Sequence, residues 1–201
     1  MIPVRPAPGG PEILVLERGS GSRFLPGYVA FPGGAVDDED EALASKWFGD
    51  EAESARAAAV RELVEEAGLG LTAAGMIQTL SLDPVHDSPP SADTIHQIAH
   101  WIAPARVPVR FDARFFVVAA ADGVTPTPDG GETAAAWWVS PRALMQEWEA
   151  GARKLYWPTY FTLAHLAGCG SVEDVLRLRF DTREATVEEE AELARSVFEQ
   201  E

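Results

Sequence analysis

The run Arg61-Glu62-Leu63-Val64-Glu65-Glu66-Ala67-Gly68 constrains this chain more than any other segment, because it reads as the end of a helix that gathers charge of one sign. Ser54 suits the N-cap of that helix, Ala57-Ala58-Ala59 has high helix propensity, and Gly68 is placed to close the last turn in the left-handed conformation. At ~100° per residue, Glu65 and Glu66 fall about 300° and 40° from Glu62, so the three carboxylates span roughly 100° of one face. Val60, Leu63 and Ala67 point elsewhere, where they can pack on a sheet. Like charges three and four residues apart repel by about a few tenths of a kcal/mol per pair. The helix macrodipole also disfavours anions at a C-terminus. A hard divalent cation with oxygen ligands relieves both penalties, and Mg²⁺ is the usual occupant where phosphates complete the shell. On this segment alone, an exposed acidic helix end without any ligand stays open as the alternative.

The charge of the whole chain narrows what such a cation could serve. With 16 basic and 32 acidic residues the formal charge is −16, and such a surface repels polyanions. No nucleic-acid partner is therefore expected. A small phosphorylated substrate fits if its site is neutralised locally, which a bound cation would do. Much of the acid excess lies in 36–53 and 183–201, where most of it reads as solvated surface. No apolar run approaches the ~20 residues that span a bilayer. The first residues lack the layout of a signal peptide, so no membrane partner is expected. Cys169 stands alone, which excludes an intrachain disulfide and a multi-cysteine metal site and favours a reducing, cytoplasmic setting.

Strands are expected at Val4–Arg5, Glu12–Glu17, Met76–Leu82, His96–Ile102, Ala113–Ala119 and Ala135–Val139. Helices are expected at Pro141–Ala150 and Pro158–Ala167, with one or two more in the acidic tail after Ser171. The stretch 37–50 reads as acidic and irregular, though Glu41–Phe48 can form a short helix. Ser88-Pro89-Pro90-Ser91 is a loop, since too little chain lies on either side for two cores. Strands with helices between them argue an α/β layered domain. One domain over 1–201 is expected, with about 171–201 as a helical C-terminal extension.

Wider spacing around the helix carries a resemblance. Glu53 stands eight residues before Arg61, Gly68-Leu69 follows the carboxylates, and Gly33-Gly34 lies upstream. This resembles the Nudix box, Gly-x5-Glu-x7-Arg-Glu-U-x-Glu-Glu-x-Gly-U with U aliphatic, and every specified position from Glu53 to Leu69 matches. Gly34 and Glu53 are separated by eighteen residues where the box has five, and an outward bulge would accommodate the thirteen extra. The resemblance implies a Nudix-type α/β/α sandwich with a mixed central sheet and extra C-terminal helices. It implies Mg²⁺ or Mn²⁺ as cofactor, with Glu62, Glu65, Glu66 and the Gly34 carbonyl as ligands. Arg61 would pair with Glu53 and orient the neighbouring carboxylates. The base that activates water would be Glu132, in Gly130-Gly131-Glu132 before Trp137-Trp138, or one of the helix glutamates.

The residues ahead of the box point to a substrate class. Leu14-Val15-Leu16-Glu17-Arg18-Gly19, then Arg23, Gly27 and Phe31-Pro32-Gly33-Gly34, are similar in spacing to the motif of the coenzyme A diphosphatases within the family. Val15, Leu16 and Gly19 depart from its Leu, Thr and Ser or Ala. The resemblance makes Arg18, Arg23, Gly27, Phe31 and Gly33 substrate-binding candidates, and two arginines suit a diphosphate and a 3′-phosphate. Arg110-Phe111-Asp112-Ala113-Arg114-Phe115-Phe116, Glu132 six residues before Trp138, Ser140-Pro141 and Tyr156-Trp157-Pro158 are similar to the peroxisomal, Nudix 19-like acyl-coenzyme A diphosphatases, which also carry an insertion in the box. The final Phe198-Glu199-Gln200-Glu201 is not a Ser-Lys-Leu-type address.

The implied reaction is hydrolysis of coenzyme A or acyl-coenzyme A to 3′,5′-ADP and (acyl)phosphopantetheine, and a homodimer is compatible with it. Alternatives are another nucleoside diphosphate derivative, such as ADP-ribose or NADH, and a nucleotide-binding module without turnover. Trp137, Trp138, Tyr156, Trp157, Tyr160 and Phe161 could cover an adenine or an acyl arm, but aromatics in strands and helices are mostly core. His96 and His100 fall in an expected strand, too far apart to chelate together. Cys169 has no nearby base in sequence and reads as structural.

Overall fold

A computed structural model describes residues 1–22, 24–103, 112–180 and the backbone of 183–184. In chain order its strands are β1 (Ile2–Arg5), β2 (Glu12–Arg18), β3 (Tyr28–Ala30), β4 (Leu69–Thr72), β5 (Gly75–Gln78), β6 (His96–Ile102), β7 (Asp112–Ala119), β8 (Thr133–Val139), β9 (Lys154–Leu155) and β10 (Arg183–Glu184). Its helices are α1 (Asp38–Phe48), α2 (Ser54–Ala67), α3 (Asp83–Asp87), α4 (Pro141–Glu149), α5 (Trp157–Leu166) and α6 (Val172–Arg177).

The main sheet is mixed and centres on β2. One edge of β2 pairs antiparallel with β8 from Ile13 to Arg18. β1 pairs at Glu12–Ile13 and β3 at Leu16–Glu17, so these two share the opposite edge of β2 and the sheet must curl there. β1–β7 and β3–β9 are parallel, while β6–β7 is antiparallel. Four successive residues of β2, Ile13 to Leu16, are at most 2 % exposed, as a strand covered on both faces requires. Leu14 and Leu16 face a core built from α1, α2 and the β4–β5 hairpin, while Ile13 and Val15 face one built from α4, α5 and α6. The architecture is therefore the α/β/α arrangement expected, with β4–β5 as a separate two-stranded sheet.

Helix α2 spans the expected residues, and Gly68 closes it at φ 62° with its N–H donating to the Val64 carbonyl at 3.0 Å. A Cβ at Gly68 would also sit 3.0 Å from the Thr127 carbonyl oxygen, so packing and backbone both demand glycine. The last turn is sealed from outside the helix, since Thr127 N–H donates to the Ala67 carbonyl at 2.7 Å.

Some expectations need correction. Ser54 is the first helical residue rather than the N-cap, which falls at Glu53. The chain enters α2 through a 3₁₀ turn, Glu51–Glu53, capped by Asp50 Oδ1 on Ala52 N–H at 2.9 Å, so it is already coiled before Ser54. β5 stops at Gln78 because Thr79 Oγ1 accepts from Ser81 N–H in a side-chain turn, and Leu82 leads into α3. β3 is an addition between Gly27 and Phe31, where no strand is expected. The largest correction concerns 37–50, where the short helix allowed at Glu41–Phe48 is present but starts earlier, at Asp38, and packs inward rather than bulging. It folds as α1, whose Ala44 and Trp47 are buried in the α2-side core, and Trp47 Nε1 donates to His86 Nδ1 of α3 at 3.0 Å. α6 is a helix in the expected tail; 181–182 and 185–201 lie outside the described residues.

Candidate active site

The carboxylate face of α2 meets the Gly33-Gly34 turn. Gly33 N–H donates to Glu66 Oε2 at 2.8 Å. A Cβ on Gly34 would overlap Glu62 Oε1 and lie 2.6 Å from Glu62 Cδ, so only glycine lets the main chain come this close to that carboxylate. Burial raises the pKa of Glu66 to about 7, against the lowering effect of the Gly33 N–H. Burial raises Glu62 as well, ahead of the opposing pull of Arg61. Buried carboxylates beside a glycine backbone offer the oxygen donors that suit a hard cation.

The positive charge that touches Glu62 and Glu65 is Arg61, and all five of its N–H donors are used. Nε donates to Asp40 Oδ1 at 3.0 Å, and Nη2 donates to Asp40 Oδ2 at 2.9 Å and to the Ala35 carbonyl at 3.1 Å. Nη1 donates to Glu62 Oε1 at 2.9 Å and to Glu65 Oε2 at 3.1 Å. A guanidinium offers five donors, so Arg61 keeps none for a substrate. Hydrogen bonding to Asp40 holds its pKa well above the usual arginine range. Glu62 and Glu65 turn to Arg61 and Glu66 turns to Gly33; among the described residues no three Asp, Glu, His or Cys side chains are gathered as a metal ligand set. Arg61 does not pair with Glu53, contrary to the sequence reading. A separation of eight positions puts about 12 Å of helical rise between them, and Glu53 pairs instead with Arg56.

Two further candidates, Arg18 and Glu132, lie on loops that meet. Gly19 N–H donates to the Glu132 carbonyl at 2.7 Å, which joins the loop after β2 to the turn before β8. A Cβ on Gly19 would lie 2.5 Å from the Gly131 carbonyl oxygen, which accounts for glycine where related motifs carry Ser or Ala. Asp129 builds the Glu132 turn by accepting from the backbone N–H groups of Gly131, Glu132 and Thr133. Arg18 Nε donates to Ser22 Oγ and the Phe24 carbonyl, at 3.0 and 2.8 Å, and its charge acts on Glu66. It is thus held by neutral groups rather than by a local acid. Gly27 has φ 77° and donates to the Arg18 carbonyl at 2.8 Å, fixing the loop's return. Phe31 is buried edge-on to Phe115, so its ring serves the core. Arg23, Arg110 and Phe111 lie outside the described residues.

The remaining candidates pack on the protein itself. Trp138 lies beneath the Arg5 guanidinium at 4.5 Å and Trp137 beneath Arg153 at 4.7 Å. Trp157 is buried against Trp101, and Tyr160 sits 4.5 Å from Trp148 between ring centres. His96 and His100 lie in β6, where His100 Nε2 contacts Asp112 Oδ1. Cys169 Sγ faces the His165 carbonyl at 3.8 Å. Asp40 and Ala35 are the site residues that sequence reasoning missed. Asp40, Ala44 and Trp47 share a helical spacing of four and three, so an acid on an apolar stripe was the available signal.

The chain is similar to known proteins over most of its length. The NUDIX domain family model matches residues 2–157. Nudix hydrolase 7 of Caenorhabditis elegans is 31% identical over 172 residues, covering 78% of this chain and 56% of that relative. The chain thus spans little more than half the length of that curated relative. Among solved structures, a NUDIX hydrolase from Alicyclobacillus acidocaldarius superposes with a TM-score of 0.72 at 27% identity, covering 90% of this chain and 95% of the other. The M. smegmatis Nudix hydrolase RenU has a TM-score of 0.51 at 17% identity, covering 90% and 86%, a likeness of fold alone.

Proposed function

The chain belongs to the Nudix hydrolase family, and on that premise we propose that it hydrolyses the diphosphate of coenzyme A or an acyl-coenzyme A, with 3′,5′-ADP and (acyl)phosphopantetheine as products. The observation that carries this reading is the meeting of Glu62 and Glu66 with the Gly33-Gly34 backbone, beside a loop that holds Arg18 within the field of Glu66. Members of this family act on small nucleotide-type substrates and generally use divalent metal ions. Mg²⁺ or Mn²⁺ is our assignment here, with Glu62, Glu65, Glu66 and the Gly34 carbonyl as its holders. A cation so placed supplies Lewis acidity and neutralises phosphoryl charge.

Hydrolysis adds water across the P–O–P bridge. The water oxygen attacks one phosphorus, the bridging oxygen departs with the other phosphate, and the water gives up a proton. In this reading Glu132 accepts that proton, from a turn that Asp129 and Gly19 fix in place. Arg18 and Arg23 bind the diphosphate and the 3′-phosphate. Gly27 shapes their loop, Phe31 anchors the turn to the core, and Gly33 fixes Glu66. Among the described residues no helix is long and apolar enough to cross a membrane. A reducing, cytoplasmic setting remains our proposal from the lone Cys169.

Purified chain incubated with Mg²⁺ and a panel of diphosphates, with products identified by mass spectrometry, tests the reading. Release of 3′,5′-ADP from coenzyme A is the expected result. Turnover of ADP-ribose or NADH without coenzyme A overturns the substrate, and no turnover of any diphosphate favours a binding module.

A further inference from the structure

We infer that the residues inserted between Gly34 and Glu53 supply a positioning residue, Asp40, which takes up the charge and geometry of Arg61 so that Glu62 and Glu65 stay available to a cation. This deepens the reading above and rests on it. Asp40 is 0 % exposed, yet it lies in the first turn of α1, an element that the compact form of the box lacks. Both of its oxygens accept from Arg61, at 3.0 and 2.9 Å, and Oδ2 also accepts from Asp37 N–H at 2.8 Å. α1 is pinned by Ala44 and Trp47 in the core, so the carboxylate cannot follow Arg61 elsewhere. Glu53, the acid that the box spacing offers for this task, is engaged by Arg56.

The electrostatic consequence decides the role. Arg61 Nη1 touches Glu62 and Glu65, and an uncompensated guanidinium there would cancel the charge that a cation needs. Paired bidentately with buried Asp40, Arg61 enters the site as half of a neutral unit. It then orients the two glutamates, and through the Ala35 carbonyl the chain next to Gly34, without competing fully for them. Asp40 touches Arg61 and the α1 backbone, so it acts through another residue and is not itself catalytic.

The test measures Mn²⁺ binding to the metal-free 201-residue chain by electron paramagnetic resonance, alongside kcat and KM for coenzyme A. Asp40→Asn is expected to weaken Mn²⁺ about tenfold or more and to lower kcat by a similar factor, with KM changed less than threefold. Glu39→Gln removes the same charge from an exposed position of the same turn and is expected to behave as wild type in both assays. If Asp40→Asn does not fold, Asp40→Glu carries the test. It keeps the charge but cannot hold Arg61 and Asp37 N–H with the same oxygens, and a partial loss of Mn²⁺ affinity is expected. Wild-type Mn²⁺ affinity in either folded Asp40 variant, or an equal loss in Glu39→Gln, overturns the inference. A wild-type chain that binds Mn²⁺ but cleaves no diphosphate overturns the functional reading alone, and the Mn²⁺ comparison then still decides the role of Asp40. A wild-type chain that binds no Mn²⁺ overturns both.

Discussion

Gly33 and Glu66 lie thirty-three residues apart in sequence, and one hydrogen bond of 2.8 Å between them joins the turn before α1 to the carboxylate face of α2. That bond is the main polar satisfaction of a carboxylate only 8 % exposed. Burial leaves its charge only partly compensated by the protein, and this has a pH signature.

Burial raises Glu66 from 4.5 to about 7 in the folded chain. Folding thus favours the protonated form, and the contribution is fully present below the unfolded pKa of 4.5 and lost as pH rises through about 7. In chelator, Glu66→Gln is expected to equal wild type in stability near the lower value and to exceed it by about 1–3 kcal/mol above the upper one. The same variant is expected to lose activity by orders of magnitude. Melting curves across pH check this, and a difference that does not depend on pH would refute it.

Gly34→Ala separates activity from stability. The added Cβ meets the far end of the Glu62 side chain, which can swing aside, so the melting temperature should change little. Displacing that carboxylate should lower kcat at least tenfold, equivalent to about 1.4 kcal/mol of barrier. Unchanged kcat at saturating Mg²⁺ would remove Glu62 and Gly34 from the site.

Glu132→Gln should lower kcat by ~10²-fold or more if its carboxylate takes the proton. Asp129→Ala releases the three backbone N–H groups that shape the same turn, and it should show a smaller loss that does not add to the first. Steady-state rates of the two single variants and the double variant decide. Independent, multiplying losses would mean that Asp129 does not act through Glu132.

Arg18→Ala and Arg23→Ala should raise KM for coenzyme A more than for dephospho-coenzyme A if either side chain holds the 3′-phosphate. The KM ratio of the two substrates is the measurement. Equal increases would confine that arginine to the diphosphate or to the loop.

Helix α2 is legible in the sequence because its signals are local: a propensity run, a periodic carboxylate face and a closing glycine all fall within fifteen residues. Strands β2, β6, β7 and β8 are legible too, because their patterning is clear, although β3 is too short to announce itself and the order in which the strands pair is not foreseen. The partners of Arg61 are not legible in that way. Box spacing offers Glu53, but the choice between Glu53 and Asp40 is made by how α1 packs, which depends on Trp47 and Ala44 meeting a surface formed elsewhere in the chain. Gly19 is similar: its departure from the motif reads as a weakness until the Gly131 carbonyl is seen against it. Contacts between distant segments are where sequence reasoning loses sight of this site.

The bond from Thr127 N–H to the Ala67 carbonyl gives the molecule a built-in gauge. An amide that closes the end of α2 from a neighbouring loop exchanges its hydrogen only when the helix end frays or the loop lifts away. Its exchange rate therefore reads the mechanical integrity of the turn that bears Glu65 and Glu66. Slower exchange on adding Mg²⁺ would register cation binding in a residue that touches neither metal nor substrate.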